Sequence, residues 1–465
     1  MKRSFLLCLL AHIVLFTSCE KYLDIKRSNT QSPIQTANDC QLILDNYGSM
    51  NTSYSYDGII SCDDYFVNDA GYQLSTVTAE DRDIYRWLTN AIRSGSNPQW
   101  LNPYNKIYLA NLVLETVAKL TKDGGTNSNI LDGLRGAALF YRAFNHWQVA
   151  QLYAKPYSAL SSSQDLGIPI RLNSDINDES DRGTLELTYN LIIQDLQEAA
   201  NLLAPTSLVA SRPSKVAAYA MLARVYQSME NYNLALNNAS LALAINSQLI
   251  NYNTLSTSSN TPFSARFNKE VIFQAVTGTT PLLNPGTAGN NVGKIDAALV
   301  SSYSSNDLRG KIFLKANSGS NVGTYRFTGN YEPATTANFF IGLAVDELYL
   351  IRAESYARSG NTEAALNDLN TLLATRWTTG TFVPMTAVNA DAALSLIITE
   401  RRKELLMRGL RWTDLRRLNK DIRFSKTLNR TILGITYSLL PNDSRYTLLI
   451  PTEVIRNSRI SQNSR

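Results

Sequence analysis

Histidine and cysteine are almost missing from this chain, with two and four copies in 465 residues. His12 and Cys8 fall in an N-terminal stretch with the marks of a cleaved leader, which leaves His146 with Cys19, Cys40 and Cys62. A zinc centre needs several His, Cys or carboxylate ligands, so none is expected. Ser–His–Asp or Cys–His chemistry would have to use His146. That residue stands between Phe144 and Trp147 on an amphipathic stretch and reads as a packed or surface side chain. Cys40 and Cys62 could bridge in an oxidising compartment, but sequence spacing does not give their separation. The run Gly289 to Lys294 is one residue short of a phosphate loop, and Ile295 stands where a magnesium-binding hydroxyl belongs. Asp178 to Tyr189 has Arg182 and Tyr189 at positions where a calcium loop needs oxygen ligands. No metal and no cofactor are expected.

Long apolar runs are missing too. Nowhere do eighteen consecutive apolar residues occur, so no spanning helix is expected. Charge is also nearly balanced. The formal net charge is +5, and Lys2 and Arg3 of the leader supply two of those positives. An excess of basic residues lies beyond Glu400, without a nucleic-acid motif beside it, and reads as a solvated basic surface. No nucleic-acid partner is expected.

What is present begins with Lys2 and Arg3, then an apolar run from Phe5 to Phe16, the pattern of a signal peptide over residues 1–18. Phe16-Thr17-Ser18-Cys19 resembles a lipobox, in which the thiol of Cys19 is acylated and the chain is cut ahead of it. Two or more acyl chains hold a protein durably on a membrane without spanning it. Residues 19–36, polar and holding Pro33, read as a tether.

Beyond the tether, helical period dominates. A short helix is expected near 37–47, and residues 48–72 read as loop. Apolar residues recur at i, i+3, i+4 and i+7 over 104–120, 131–153 and 185–203. Helix pairs follow at 214–229 with 232–245 and at 343–359 with 362–375, and 392–408 with 411–419 closes the series. The two tight pairs have the ~34-residue spacing of tetratricopeptide repeats. Tyr219, Leu222, Ala223 and Tyr226 stand in register with Tyr349, Ala353 and Tyr356, and Ala235 with Ala365. Each pair buries only part of its surface, so the array must stack. Residues 251–341 are rich in Gly, Pro, Asn, Ser and Thr, with strand-like runs at 271–276 and 325–328, and the tail at 446–451 also reads as strand. The expected fold is mainly α: a tetratricopeptide-like array with loop-rich insertions and a few short β-strands. Its regions are 37–250, an insertion at 251–341, and 342–465.

The C-terminal segment adds a resemblance. Glu400-Arg401-Arg402-Lys403-Glu404-Leu405, Gly409, Arg411 and Asp414-Leu415-Arg416-Arg417 resemble the helix pair that marks SusD/RagB lipoproteins. Leu449-Ile450-Pro451, Glu453, Asn457 and Gln462-Asn463 are similar to the family's closing segment. Cys19 with Tyr22-Leu23-Asp24, Leu139-Phe140-Tyr141-Arg142-Ala143 and Gly167-Ile168-Pro169 agree with its earlier parts. Arg408, where the family usually has an acid, and Ser458, where it has proline, are departures. The resemblance implies an outer-membrane lipoprotein on the extracellular face. Such a protein binds oligosaccharide, or in some members peptide, and delivers it to a TonB-dependent transporter of the SusC type. The sequence alone also admits a lipid-anchored tetratricopeptide scaffold of envelope assembly, or a surface glycoside hydrolase.

Within the signature, Glu400 and Glu404 share a helix face and could pair with a base on the next helix such as Arg411. The paired carboxylates Asp63-Asp64, with Asp57, are sequence neighbours that rarely face one cleft as a glycosidase requires. Sugar rings stack their C–H faces on Trp or Tyr while amides and charged groups meet the hydroxyls. Aromatics in irregular segments are therefore the ligand candidates: Trp87 and Trp100 with Asn97 and Asn102, Tyr54, Tyr56, Tyr65 and Tyr72, and Tyr303, Tyr325 and Tyr331.

Overall fold

The computed structural model describes residues 34–95, 97–179, 181–333 and 338–465. The leader, Cys19 and most of the tether lie outside the described residues.

Ten helices carry the architecture. α1 (Ala37–Leu44) opens on a capping box in which Thr36 and Asp39 satisfy each other's backbone N–H. α2 (Pro98–Asp123) begins earlier than its apolar period, because Asn97 caps the Gln99 N–H and Pro98 suits the first helical position. α3 (Ser128–Tyr153) packs on α2, and α4 (Leu185–Leu202) packs on α3. α5 (Lys215–Ser228) with α6 (Tyr232–Ile245), and α7 (Val345–Arg358) with α8 (Thr362–Ala374), form the two tight hairpins. α9 (Ala390–Glu404) and α10 (Arg411–Leu418) complete the set.

The two hairpins turn in the same way. Asn231 and Asn361 each cap the second helix, and their N–H groups donate to the carbonyls of Tyr226 and Tyr356, both at 2.9 Å. The residue before each cap has positive φ, Glu230 at 61° and Gly360 at 85°, and only the second is a glycine. Ala223, Ala235, Ala353 and Ala365 are fully buried, so small side chains stand where the helices meet. α6 packs on α7, which carries the array across the insertion.

The strands are short and lie outside the hairpins. β1 (Tyr65–Phe66) pairs with β3 (Lys294–Ile295), β2 (Val271–Phe273) with β6 (Leu343–Ala344), and β4 (Leu314–Ala316) with β5 (Tyr325–Phe327), all antiparallel. The fold class therefore stands as the periodicity predicts it. Two local expectations are corrected. Residues 48–72 hold the short helices Tyr47–Met50, Asp57–Ser61 and Asp69–Tyr72 as well as β1. The tail at 446–451 is no strand: Leu448 N–H donates to the Leu152 carbonyl, and Ile450 N–H to the Gln462 side chain. The longest hairpin is instead β7 (Leu428–Ile432) with β8 (Ile435–Leu439), turned by Leu433 and Gly434, both at positive φ. Cys40 and Cys62 are buried and unbridged. No helix among the described residues is long and apolar enough to cross a membrane.

Most signature charges of α9 and α10 are buried, Arg402 and Arg411 only partly so, and their partners differ from the local pairing expected. Arg309, from the insertion, reaches Glu400 at 2.5 Å and Glu404 at 3.1 Å. Arg376, just past α8, reaches Glu404 at 2.7 Å and Glu270 at 2.9 Å. Arg417 pairs with Glu354 of α7 at 2.6 Å. Arg411 pairs with Asp63 at 2.7 Å rather than with Glu400 or Glu404. Charges taken out of water must be paired to be tolerated; these pairs tie the insertion to the C-terminal helices, and Arg411 with Asp63 ties α10 to the N-terminal region. Arg408 pairs with Asp346 at 3.1 Å and lies over the Tyr331 ring at 4.4 Å.

Candidate functional site

A cleft of about 580 Å³ opens where the first turns of α2 meet the loop after α3 and the C-terminal segment. Trp100 and Tyr104, one helical turn apart, form its floor with ring centroids 5.0 Å apart. Tyr153 of α3 meets Trp100 edge-on at 4.8 Å and fixes its tilt. The Tyr104 hydroxyl donates to the Pro169 carbonyl at 3.0 Å, and burial pushes its pKa well up, so it stays a neutral donor.

The loop forming one wall is held by its own polar groups. A Cβ on Gly167 would overlap the Arg182 and Thr184 carbonyls, so this close crossing requires glycine. Buried Arg182 donates to the Gly167 carbonyl at 2.8 Å, to the Ser461 carbonyl at 2.8 Å and to Asn463 Oδ1 at 2.9 Å. It thereby ties the loop to the C-terminal segment. Arg171 donates to the Asp175 and Asp178 carbonyls, and Asn111 donates to the Arg171 carbonyl at 3.1 Å and the Asn173 carbonyl at 3.0 Å. Beneath, His146 Nε2 accepts from the Arg171 N–H at 3.4 Å. Burial, aided by nearby Arg142, pushes the His146 imidazole down to about 3, so it is neutral at physiological pH. His146 is a support of the wall, fully buried, with no path to act on a ligand.

The rim mixes amides, hydroxyls and charges, with Asn177, Asp178, Glu179 and Asp181 on one side and Asn457 and Arg459 on the other. Glu179 and Arg459 approach across it at 3.6 Å, both well exposed. An apolar aromatic floor under a rim of neutral and charged hydrogen-bonding groups suits a polyhydroxylated ligand with one apolar face. Among the described residues, no group of three or more His, Cys, Asp or Glu could hold a metal ion.

Of the aromatics expected to meet ligand, only Trp100 lines this cleft. Its own side chain is 5% exposed, so it shapes the floor more than it offers a free face. Trp87 is a core residue: its indole N–H donates to the Ser61 carbonyl at 2.9 Å, and Arg430 covers its ring at 4.2 Å. Tyr65, Tyr72 and Tyr331 are likewise buried and present no face to a ligand here. The Tyr65 hydroxyl donates to the Ile60 carbonyl at 3.2 Å, and that of Tyr331 to Glu270 at 2.5 Å. Tyr303 and Tyr325 are half-buried far along the insertion, the first donating to the Lys403 carbonyl at 2.9 Å. Asn102 is half-buried and donates to the Ser53 carbonyl at 2.8 Å. Tyr54 is in the core and Tyr56 partly so. Asp57 is consumed by Arg93 at 2.5 Å, Asp63 by Arg411 and Lys426, and Asp64 by Arg402.

Tyr104, Arg171, Asn177 and Arg459 were not among the residues singled out from sequence. The i, i+4 spacing of Trp100 and Tyr104 was the available signal, since it places both rings on one helix face.

Two sequence families match the chain. Residues 21–227 match one described as starch-binding and associating with the outer membrane, and residues 326–443 match the SusD family. Together they span more than two thirds of the chain. No curated protein matches. Solved structures share the fold over nearly their whole length. A SusD superfamily protein from Bacteroides thetaiotaomicron VPI-5482 is 20% identical with a TM-score of 0.74, covering 92% of this chain and 100% of that one. A protein proposed to bind sugar, from Bacteroides vulgatus ATCC 8482, is 22% identical with a TM-score of 0.73, covering 93% and 99%. A SusD-like carbohydrate binding protein from the same organism is 19% identical with a TM-score of 0.68, covering 92% and 97%.

Proposed function

The chain belongs to the SusD/RagB family of outer-membrane-associated nutrient-binding proteins, and from that membership we propose that it captures an oligosaccharide in the cleft over Trp100 and Tyr104. The observation that carries this reading is the chemistry of that cleft. A pyranose offers an apolar C–H face and a belt of hydroxyls, and the cleft offers an aromatic floor beneath amides and carboxylates. Its volume, about 580 Å³, suits a ligand of a few sugar rings. Similar folds described as sugar- or carbohydrate-binding support the ligand class.

Capture and release would leave the ligand unaltered, and a TonB-dependent transporter of the SusC type would take it inward. Cys19, acylated, would hold the protein on the outer face of the membrane. The test is a glycan-array and peptide-library screen on the full chain, with the bound ligand recovered and weighed by mass spectrometry. An intact oligosaccharide, bound more weakly by Asn177→Ala or Arg459→Ala, is expected. Selection of peptides alone, or recovery of cleaved glycan, would overturn the reading.

A further inference from the structure

The insertion holds two cations side by side that the protein leaves without a counter-charge. Residues 251–341 contain seven Lys and Arg against four acids, and each acid is engaged by another base. Glu270 pairs with Arg376, Asp296 with Arg402, Asp307 with Arg309 and Glu332 with Arg266. Lys315 of β4 and Arg326 of β5 are direct cross-strand partners, and neither forms an ion pair among the described residues. Cross-strand pairing sets both side chains on one face of the ribbon with Cβ atoms about 4.5–5.5 Å apart, and like charges placed so are destabilising.

Both head groups rest against one exposed loop. Lys315 Nζ donates to the Thr257 carbonyl and, at 2.7 Å, to the Lys311 carbonyl. Arg326 donates to Asn260 Oδ1 at 2.8 Å and to the Ala316 carbonyl at 2.7 Å. Thr257 and Asn260 are three residues apart and both exposed, so the two cations meet at the surface of the same turn of chain. All four acceptors are neutral. They orient the cations without discharging them, and they leave N–H groups of both side chains unused. Arg326 Nε is one of these, with no partner in the protein and not closed off from solvent. Lys315 is half-buried and Arg326 keeps 9% of its surface exposed, so the pair is reachable from outside. Burial, aided by the charge of Arg326, holds the Lys315 amine below its ordinary pKa, as expected of a cation facing another cation.

We propose that the face shared by Lys315 and Arg326 binds an oxyanion, a sulfate or phosphate group whose oxygens bridge the two cations. The guanidinium offers a planar set of donors to the group and the ammonium a further contact, and the anion relieves their repulsion. A sulfate ester on a sugar and free inorganic phosphate share that chemistry. The site is separate from the cleft over Trp100 and does not depend on the reading given to it.

The test titrates the full chain by calorimetry, at one fixed ionic strength, with D-glucose 6-sulfate, with inorganic phosphate and with neutral D-glucose. Saturable binding of at least one anion is expected, with glucose at least about tenfold weaker. The preferred anion identifies the source. Lys315→Gln removes one charge from a partly exposed position and should weaken the anion about tenfold, whereas Lys315→Arg keeps the charge and should hold most of the affinity. Arg326→Gln should weaken it as well. Should Arg326→Gln fold poorly for loss of its two hydrogen bonds, the two Lys315 variants decide the matter alone. Absence of saturable binding by both anions overturns the proposal. So does equal binding of glucose, an affinity unchanged in Lys315→Gln, or a loss in Lys315→Arg as large as that in Lys315→Gln.

Discussion

Replacing Arg376 by methionine should unfold the protein more easily, and by an amount that depends on pH. Arg376 is fully buried and donates to Glu404 at 2.7 Å, to both oxygens of Glu270 at 2.9 and 3.1 Å, and to the Ile250 carbonyl at 2.8 Å. Its guanidinium also lies over the Tyr252 ring at 4.1 Å. Methionine fills similar space but leaves buried Glu270 without its cation and Glu404 with Arg309 alone. Breaking a buried pair from one side costs about 3–5 kcal/mol. Unfolding entropy near 2.1 cal/mol/K per residue gives roughly 1 kcal/mol/K for a chain of 465 residues, so the midpoint should fall by about 3–5 °C. The pH dependence follows from Glu270, which burial pushes up from 4.5 to about 7 against the pull of Arg376. A carboxyl raised on folding adds stability that is fully present below its unfolded value and lost as pH rises through its folded value. Without Arg376 the folded value rises further, so the variant loses more at pH 8 than at pH 5, where Glu270 is protonated in either protein. Differential scanning calorimetry of both proteins at the two pH values measures this. Equal losses at pH 5 and pH 8, or a midpoint shift below about 1 °C at pH 8, would refute the role given to the buried network.

Other expectations are simpler to check. Ala223→Leu and Ala353→Leu overpack fully buried helix contacts and should each cost roughly 1–3 kcal/mol; unchanged thermal midpoints in both would contradict the packing described. His146, held down to about 3, adds stability that is present above its ordinary 6.5 and lost as pH falls toward the folded value. Its imidazole C–H resonances should therefore not move between pH 5 and pH 8, and a titration in that window would disprove its burial. Cys19→Ala should leave the protein unlabelled by radioactive palmitate and absent from the membrane fraction; retention there without label would exclude the anchor.

The repeats were legible because their physics is local. Buried alanines, apolar period and an asparagine cap all sit within one hairpin, and α6 fell at its expected ends. The signature charges were legible as a pattern but not as contacts. Arg411 finds Asp63, distant in sequence, because the burial of α10 against the N-terminal region decides its partner. The tail at 446–451 has the apolar run of a strand, yet the Gln462 side chain takes the place of a ladder partner at Ile450. Composition likewise marked the insertion as loop-rich but could not show Tyr331 turned inward onto Glu270 and Arg408. Of the ligand candidates, Trp100 reached a cleft because Asn97 and Pro98 start α2 one turn ahead of Tyr104. The remaining wall comes from segments some 70 and 350 residues away, which no local pattern joins.

If ligand sits over Trp100 and Tyr104, a crystal structure of the full chain with the oligosaccharide returned by the screen will show sugar density between that aromatic pair, Asn177 and Arg459. Ordered sugar anywhere else on the protein, with that cleft filled only by water, would place the site elsewhere.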